Sequence, residues 1–273
     1  MSIIQKIIKY LSLAFAIFLI YIIFSSIFGG LSLIFDSFSS NSNNSKMSTV
    51  WNSDNDYFDE IDVDIKYSDF SLIYGDEYLI KSEDTRGVEY STKNGVLKIK
   101  DKKKFYFGDR KKIEFVIPRN SVFNDVNINN GVGEVYIEGI NSKSINMDFG
   151  AGKVTIDSLI SDKADIDSGA GKIVINSGSI GKLDFDMGVG EVVISSEIGN
   201  DTKIDAGVGN FIFNIFGNKD DYKITVDKGI GNVSVDNTLV NDNSKVGNGS
   251  KNIDVNGGIG NISINFESVK NFV

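Results

Sequence analysis

The chain has no cysteine, no histidine, a single proline (Pro118) and a single tryptophan (Trp51) in 273 residues. Without cysteine there are no disulfides and no thiolate chemistry, so stability has to come from packing and hydrogen bonding. Without histidine, every triad built on an imidazole base is excluded. One proline beside 28 glycines rules out collagen-like and proline-rich chains. Positive charge is also scarce. Net charge is −9, and removing the two lysines that are the only charges in the first 35 residues (Lys6 and Lys9) leaves −11 on the rest. General nucleic-acid binding needs a positive field that this chain lacks.

What the chain has in abundance is a repeat. A Gly-x-Gly pair with an apolar middle residue recurs seven times: Gly131/Gly133, Gly150/Gly152, Gly169/Gly171, Gly188/Gly190, Gly207/Gly209, Gly229/Gly231 and Gly258/Gly260. Four consecutive intervals are 19 residues, and the last two stretch to 22 and 29. Residues five and three before the first glycine are mostly apolar, as in Val126/Ile128, Ile145/Met147 and Leu183/Phe185. Residues four and six after it are apolar in every copy, from Val135/Ile137 to Ile262/Ile264. Alternation with polar residues is the period of a strand with one buried face. Each repeat therefore reads as strand, glycine corner, strand and a polar return such as Asn141–Ser144. A fixed period near 20 residues means stacked units that share a core none could form alone. The expected architecture is an all-β, single-stack parallel β-solenoid with coils of ~19 residues, each rising ~4.8 Å. An antiparallel sandwich is the alternative, because alternation does not say which strands pair.

The N-terminus has no charged residue from Tyr10 to Phe35, and Leu11–Phe28 is almost wholly apolar. About 20 apolar residues span a bilayer as a helix, and positive flanks stay cytoplasmic. Residues 1–36 are thus expected to form one transmembrane helix, cytoplasmic at its N-terminus, with the C-terminal domain extracellular. A cleaved signal peptide competes, but its apolar region is shorter, about 7–15 residues, and ends in a small-x-small site. Segment 37–56, rich in Ser and Asn, reads as a linker. Trp51 either rests on headgroups or begins the folded part. Residues 57–273 form the expected domain, with 57–125 as its N-terminal cap.

Within that cap lie Ile61–Tyr67, Ser71–Tyr74, the turn Tyr74-Gly-Asp-Glu-Tyr78, the run Gly95-Val-Leu-Lys-Ile99 and the strand Ile113-Glu-Phe-Val-Ile-Pro118. Followed by the Gly-x-Gly repeats, they resemble the bacterial putative-adhesin domain family, over about residues 57–265. The resemblance implies a right-handed β-solenoid exposed at the bacterial cell surface. It supplies no ligand site.

Chemistry could sit in three places. Glycine loops that cradle phosphate join a strand to a helix N-terminus; here they join strand to strand. The calcium-binding nonapeptide has another period. The outward rows beside the first strand are acidic: Asn129, Asp148, Asp167, Asp186, Asp205, Asp227 and Asn256, with Asn127, Asn146, Asp165, Asp184, Lys203, Thr225 and Asp254 two residues earlier. Asp165, Asp167, Asp184 and Asp186 should form a four-carboxylate patch, either a solvated face or a weak Ca2+ or Mg2+ site. The third place is basic. Lys102, Lys103, Lys104, Arg110, Lys111 and Lys112, with Lys98 and Lys100 before them, surround Phe105-Tyr-Phe107, and Asp101 and Asp109 are the only acids in that run. It could dock an anionic wall polymer or lipid headgroups, or be a solvated hairpin whose lysines protect an edge.

Three functions follow from these surfaces. The first is a membrane-anchored, non-catalytic module for adhesion or binding at the cell envelope, whose partner is an anionic cell-wall polymer or another envelope protein. The second is a partner in envelope-stress signalling. The third is a carbohydrate-active enzyme using paired aspartates, which short returns and the missing histidine disfavour. Open solenoid ends also invite end-to-end self-association, unless a tail such as Phe272-Val273 covers the last coil.

Overall fold

The computed structural model describes residues 46–53, 57–102 and 110–267, within a compact unit running from Lys46 to Val273. The transmembrane helix expected over residues 1–36 and the Phe272-Val273 tail lie outside them. No helix among the described residues is long and apolar enough to cross a membrane. They are all-β, with nineteen strands in one open sheet consistent with a solenoid.

The first strands are β1 (Ser48–Asn52), β2 (Glu60–Ile65), β3 (Ser68–Gly75), β4 (Leu79–Ser82), β5 (Val88–Lys93), β6 (Val96–Asp101) and β7 (Lys111–Pro118). Then come four long bent strands: β8 (Phe123–Ile137), β9 (Ile140–Ile156), β10 (Leu159–Ile175) and β11 (Gly178–Ile198). The last part holds β12 (Thr202–Asp205), β13 (Val208–Phe216), β14 (Tyr222–Asp227), β15 (Ile230–Val235), β16 (Thr238–Val240), β17 (Ser244–Val246), β18 (Lys251–Asn256) and β19 (Ile259–Glu267).

In the middle the pairing is parallel at a constant offset. Val126 meets Ile145, Ile145 meets Ala164, Ala164 meets Leu183 and Leu183 meets Thr202. Stacked coils are what the 19-residue interval demands, and the antiparallel sandwich is set aside. Inward rows form one apolar core in which Val63, Leu97, Ile166, Phe185, Phe211 and Ile264 are fully buried. Phe185 and Phe211 meet edge to face at 5.3 Å. Each such side chain contributes about 1.5–3 kcal/mol by leaving water.

The corners explain the glycines. Gly152 has φ 150°, and a Cβ there would stand 1.9 Å from the Gly133 carbonyl oxygen one coil away. The same contact recurs up the stack, at 1.8 Å between Gly190 and Gly171. The glycines are therefore set by backbone approaching backbone.

Three readings need correction. The polar segment Asn141–Ser144 is not the return, because β9 starts at Ile140; the return is Glu138-Gly139. Ladder pairing also skips Lys143 and Asp162, which divides a coil into three runs instead of two. Ser142 and Ser161 turn inward at that bend, and their hydroxyls donate to the carbonyls of Ser144 (2.8 Å) and Lys163 (2.6 Å). A buried serine satisfied by its own bend looks polar in sequence yet faces the core. Second, the segment read as the end of the linker supplies β1, paired antiparallel with β4. Trp51 begins the folded part, 8% exposed against Phe58 and Tyr90.

Third, the coils do not all stack in chain order. β18 and β19 lie between the coil of β12 and β13 and the coil of β14 and β15. The last coil in sequence is thus second from the end in space. The other end does the same: β2 and β3 lie between β8 and the coil of β6 and β7. Both outermost coils then carry antiparallel strands, β5 and β4 at one end, β17 and β16 at the other.

Candidate functional site

The acidic rows stand in register as the spacing requires. Asp165 pairs with Asp184, and Asp167 with Asp186, across β10 and β11. The outer row continues to Asp148 on β9 and Asp205 on β12. Together Asp148, Asp167, Asp186 and Asp205, with Ser168 and Met187, line an open depression of about 490 Å³. The candidate four are therefore brought side by side, and Asp148 and Asp205 extend the outer pair into a row of four. Among the described residues no group of three or more His, Cys, Asp or Glu is placed to hold a metal ion. The geometry gives the reason: side chains on strands ~4.8 Å apart run parallel, whereas Ca2+ needs oxygens converging to about 2.3–2.6 Å.

Repulsion along the row is relieved in other ways. Partial dehydration, followed by the fields of Asp165, Asp148 and Asp184, pushes the Asp167 carboxyl above its ordinary range. Asp186 is likewise raised, first by dehydration and then by a hydrogen bond shared with Asp205. Asp205 is lowered, chiefly by the hydrogen bond from Lys203 and further by one from Asn256. At the other row Lys163 stands 3.9 Å from Asp165.

The basic hairpin is less free than its sequence suggests. Lys98 pairs with Asp62 at 2.7 Å and Lys100 with Asp64 at 3.6 Å, because β6 lies in register with β2. Lys102 meets Glu89 at 3.1 Å, Arg110 meets Asp69 at 2.7 Å, and Lys112 meets Glu114 at 3.8 Å. Lys111 opens β7, while Lys103 and Lys104 lie outside the described residues. The neutralising acids come from neighbouring strands, far away in sequence. Asp101, which looked like a minor acid within the run, is buried and accepts from the backbone N–H groups of Lys66 and Tyr67, both at 2.9 Å. A second open depression, also about 490 Å³, is lined by Glu89, Tyr90, Lys98, Lys100 and Lys102.

One outward feature escaped sequence reasoning. Amide side chains link neighbouring coils on the second strand, Asn261 to Asn210 at 3.3 Å and Asn265 to Asn214 at 3.0 Å. Their signal was an asparagine three residues after the first glycine in each of the last three repeats (Asn210, Asn232, Asn261), and one seven residues after it in the first and third of these (Asn214, Asn265).

The Toastrack DUF4097 family profile matches residues 43–265. Among solved structures, a putative adhesin from Bacteroides fragilis is 16% identical over 80% of this chain and 97% of its own, with a TM-score of 0.45. A putative cell adhesion protein from Clostridium sporogenes is 16% identical over 81% and 99%, with a TM-score of 0.36. A putative lipid binding protein from Parabacteroides distasonis is also 16% identical, over 82% and 94%, with a TM-score of 0.33. No functionally curated protein matches the chain.

Proposed function

The chain belongs to the Toastrack DUF4097 family, and from that premise we propose that it is a membrane-anchored, non-catalytic module that binds at the outer face of the bacterial envelope. In this reading a helix within residues 1–36 spans the membrane with its N-terminus cytoplasmic, and the domain beyond is a right-handed, single-stack β-solenoid. The observation that carries the reading is the registered outward row of Asp148, Asp167, Asp186 and Asp205 on four successive coils, joined near the C-terminal end by amide links between the coils of β13 and β19. A surface with a fixed repeat suits a ligand that also repeats, such as a wall polymer. Anionic polymer would meet Lys98, Lys100 and Lys102, whose ion pairs are surface pairs worth about 0–1 kcal/mol and open to exchange.

The test is retention of the detergent-solubilised full chain on purified anionic wall polymer over a salt series. Retention should fall as added salt shortens the Debye length below about 10 Å. Salt-independent retention sinks the electrostatic account. Capture of a membrane-protein partner in place of polymer would move the assignment to envelope signalling. Polysaccharide cleavage abolished by Asp165→Asn or Asp184→Asn would make the protein an enzyme. A protease added to intact cells should remove the domain if it faces outward.

A further inference from the structure

The strands that end the stack are not all closed off in the same way. Four of them have a strand on one side only among the described residues: β1 on β4, β5 on β6, β16 on β15 and β17 on β14. β16 and β17 are three residues long, and β1 carries a register shift between Thr49 and Trp51. β5 has neither device. It runs six residues in unbroken register with β6, from Val88 opposite Asp101 to Lys93 opposite Val96. Glu89, Tyr90, Ser91 and Lys93 within it are exposed.

The ladder tells which backbone groups of β5 are spare. In an antiparallel pair, residues that exchange hydrogen bonds alternate with residues that do not. The Gly87 carbonyl accepts from the Lys102 N–H at 2.8 Å, so the register puts Glu89, Ser91 and Lys93 in bonded pairs with β6. The Gly95 carbonyl, just before β6, accepts from Asp59 and Glu60 at 3.0 and 3.1 Å on the β2 side, which agrees with that phase. The N–H and C=O groups of Val88, Tyr90 and Thr92 therefore point away from β6, along an edge with no strand beside it among the described residues.

Side chains along the edge set what fits there. Tyr90 lies on the core side, opposite Ile99, with its ring 6.0 Å from that of Trp51, yet it is 44% exposed. An added strand would bring its own core-side residue to about 4.5–5.5 Å from Tyr90, Cβ to Cβ, and close over that ring. On the outward side the hairpin carries Lys93, Lys98, Lys100 and Lys102 against one acid, Glu89. Asp62, Asp64 and Glu89 answer Lys98, Lys100 and Lys102. The charge left over is that of Lys93, on β5 itself.

We propose that the free edge of β5 takes up, as one more strand, an extended segment of a partner protein in which apolar and acidic residues alternate. Main-chain bonds to Val88, Tyr90 and Thr92 hold the segment, its apolar side chains cover Tyr90, and an acid meets Lys93. Strand addition to an exposed edge is a recurring mode of peptide recognition. The proposal rests on neither the wall-polymer reading nor the membrane anchor, and failure of either leaves it standing.

Hydrogen exchange on the detergent-solubilised full chain tests it, with two capped synthetic peptides. One alternates valine with glutamate, and its twin alternates valine with lysine. In the chain alone, the Tyr90 and Thr92 amides should exchange fast, and that of Ser91, bonded to β6, slowly. The glutamate peptide should slow Tyr90 and Thr92 and bind roughly tenfold more tightly than the lysine peptide. Lys93→Glu should abolish that preference. Tyr90→Pro removes a spare N–H from the edge and leaves the β6 ladder its bonds; it should weaken the glutamate peptide roughly tenfold. Slow exchange of Tyr90 in the chain alone overturns the proposal, because the edge is then already covered by the chain itself or by a second copy. No slowing by the glutamate peptide, or equal slowing by both, also overturns it. Should Tyr90→Pro disturb folding, the exchange pattern of the unsubstituted chain decides.

Discussion

The central coils and the two end regions use the same corner, yet they are organised by different rules. From β8 to β13 each coil lies on the one before it in sequence, through returns of two or three residues. At both ends the last two coils trade places, and the outermost coil is one whose two ends are held further in. Regularity makes a stack that could grow without limit, and the exchange stops it. The outer coils carry antiparallel strands, two of them only three residues long, and β1 has a register shift between Thr49 and Trp51. Short strands and bulges are ways to blunt an edge. End-to-end self-association would have to displace them.

Glycine substitution should split the two regions most widely. Gly190→Ala, with φ 148° and a Cβ set 1.8 Å from the Gly171 oxygen, is expected to cost about 4 kcal/mol from positive φ and backbone overlap together. Gly95→Ala, at the tip of the β5–β6 hairpin, has φ 80° and meets only a side-chain oxygen of Asp59 at 3.3 Å, so it should cost about 1 kcal/mol. Denaturant midpoints check both, and equal losses would break the comparison. A cavity comes next. Phe211→Ala, fully buried between coils, should lose about 3 kcal/mol, against about 1 kcal/mol for Val240→Ala in the end strand β16.

A gain should follow from Thr202→Val. Thr202 occupies the inward row between Leu183 and Ile253, 2% exposed, and its hydroxyl has no partner among the described residues. Removing an unsatisfied buried hydroxyl with a residue of the same shape should raise stability by about 1 kcal/mol. A loss on calorimetric unfolding would mean that Thr202 finds a partner in solution.

The smallest effect probes the acidic row. Asp167 has its folded pKa raised, so the native state takes up a proton at higher pH than the unfolded chain does. Its charge therefore opposes folding above that folded pKa, and the penalty fades as pH falls towards the unfolded value. Asp167→Asn should add a few tenths of a kcal/mol at neutral pH, about what an exposed charge contributes, and match the parent in acid. Asp205 is lowered, so Asp205→Asn should show the reverse sign, losing stability at neutral pH and converging in acid. Melting temperatures measured between neutral pH and acid decide it. A gap for Asp167→Asn that widens on acidification refutes the account.

The centre of this molecule was legible in sequence because two signals coincide there. Val154 and Ile156 point inward, Thr155 between them points outward, and the same pattern returns 19 residues later at Ile173 and Ile175. The ends were not legible, for a physical reason. Asp205-Ala-Gly-Val-Gly-Asn210, Asp227-Lys-Gly-Ile-Gly-Asn232 and Asn256-Gly-Gly-Ile-Gly-Asn261 offer one another the same corner. Nothing local says which lies against which, and the longer intervals were the only trace. The aspartate row was readable from spacing alone. The acids that pair with the basic hairpin were not legible, because charge is counted along the chain, while Asp62 and Asp69 reach Lys98 and Arg110 from 36 and 41 residues away.

The inward position of β19 also decides how the molecule meets digestion. Chains usually fray and are trimmed from their ends, where the last element is held on one side only. From Ile259 to Ile264, β19 is instead bonded to neighbours on both flanks, which an exopeptidase would have to strip away together. Among the described residues, a stretch open to an endoprotease lies upstream, around the exposed Asn241–Asn243. A nick there leaves the C-terminal fragment clasped in its slot, so the cut domain should migrate as one piece until it is denatured.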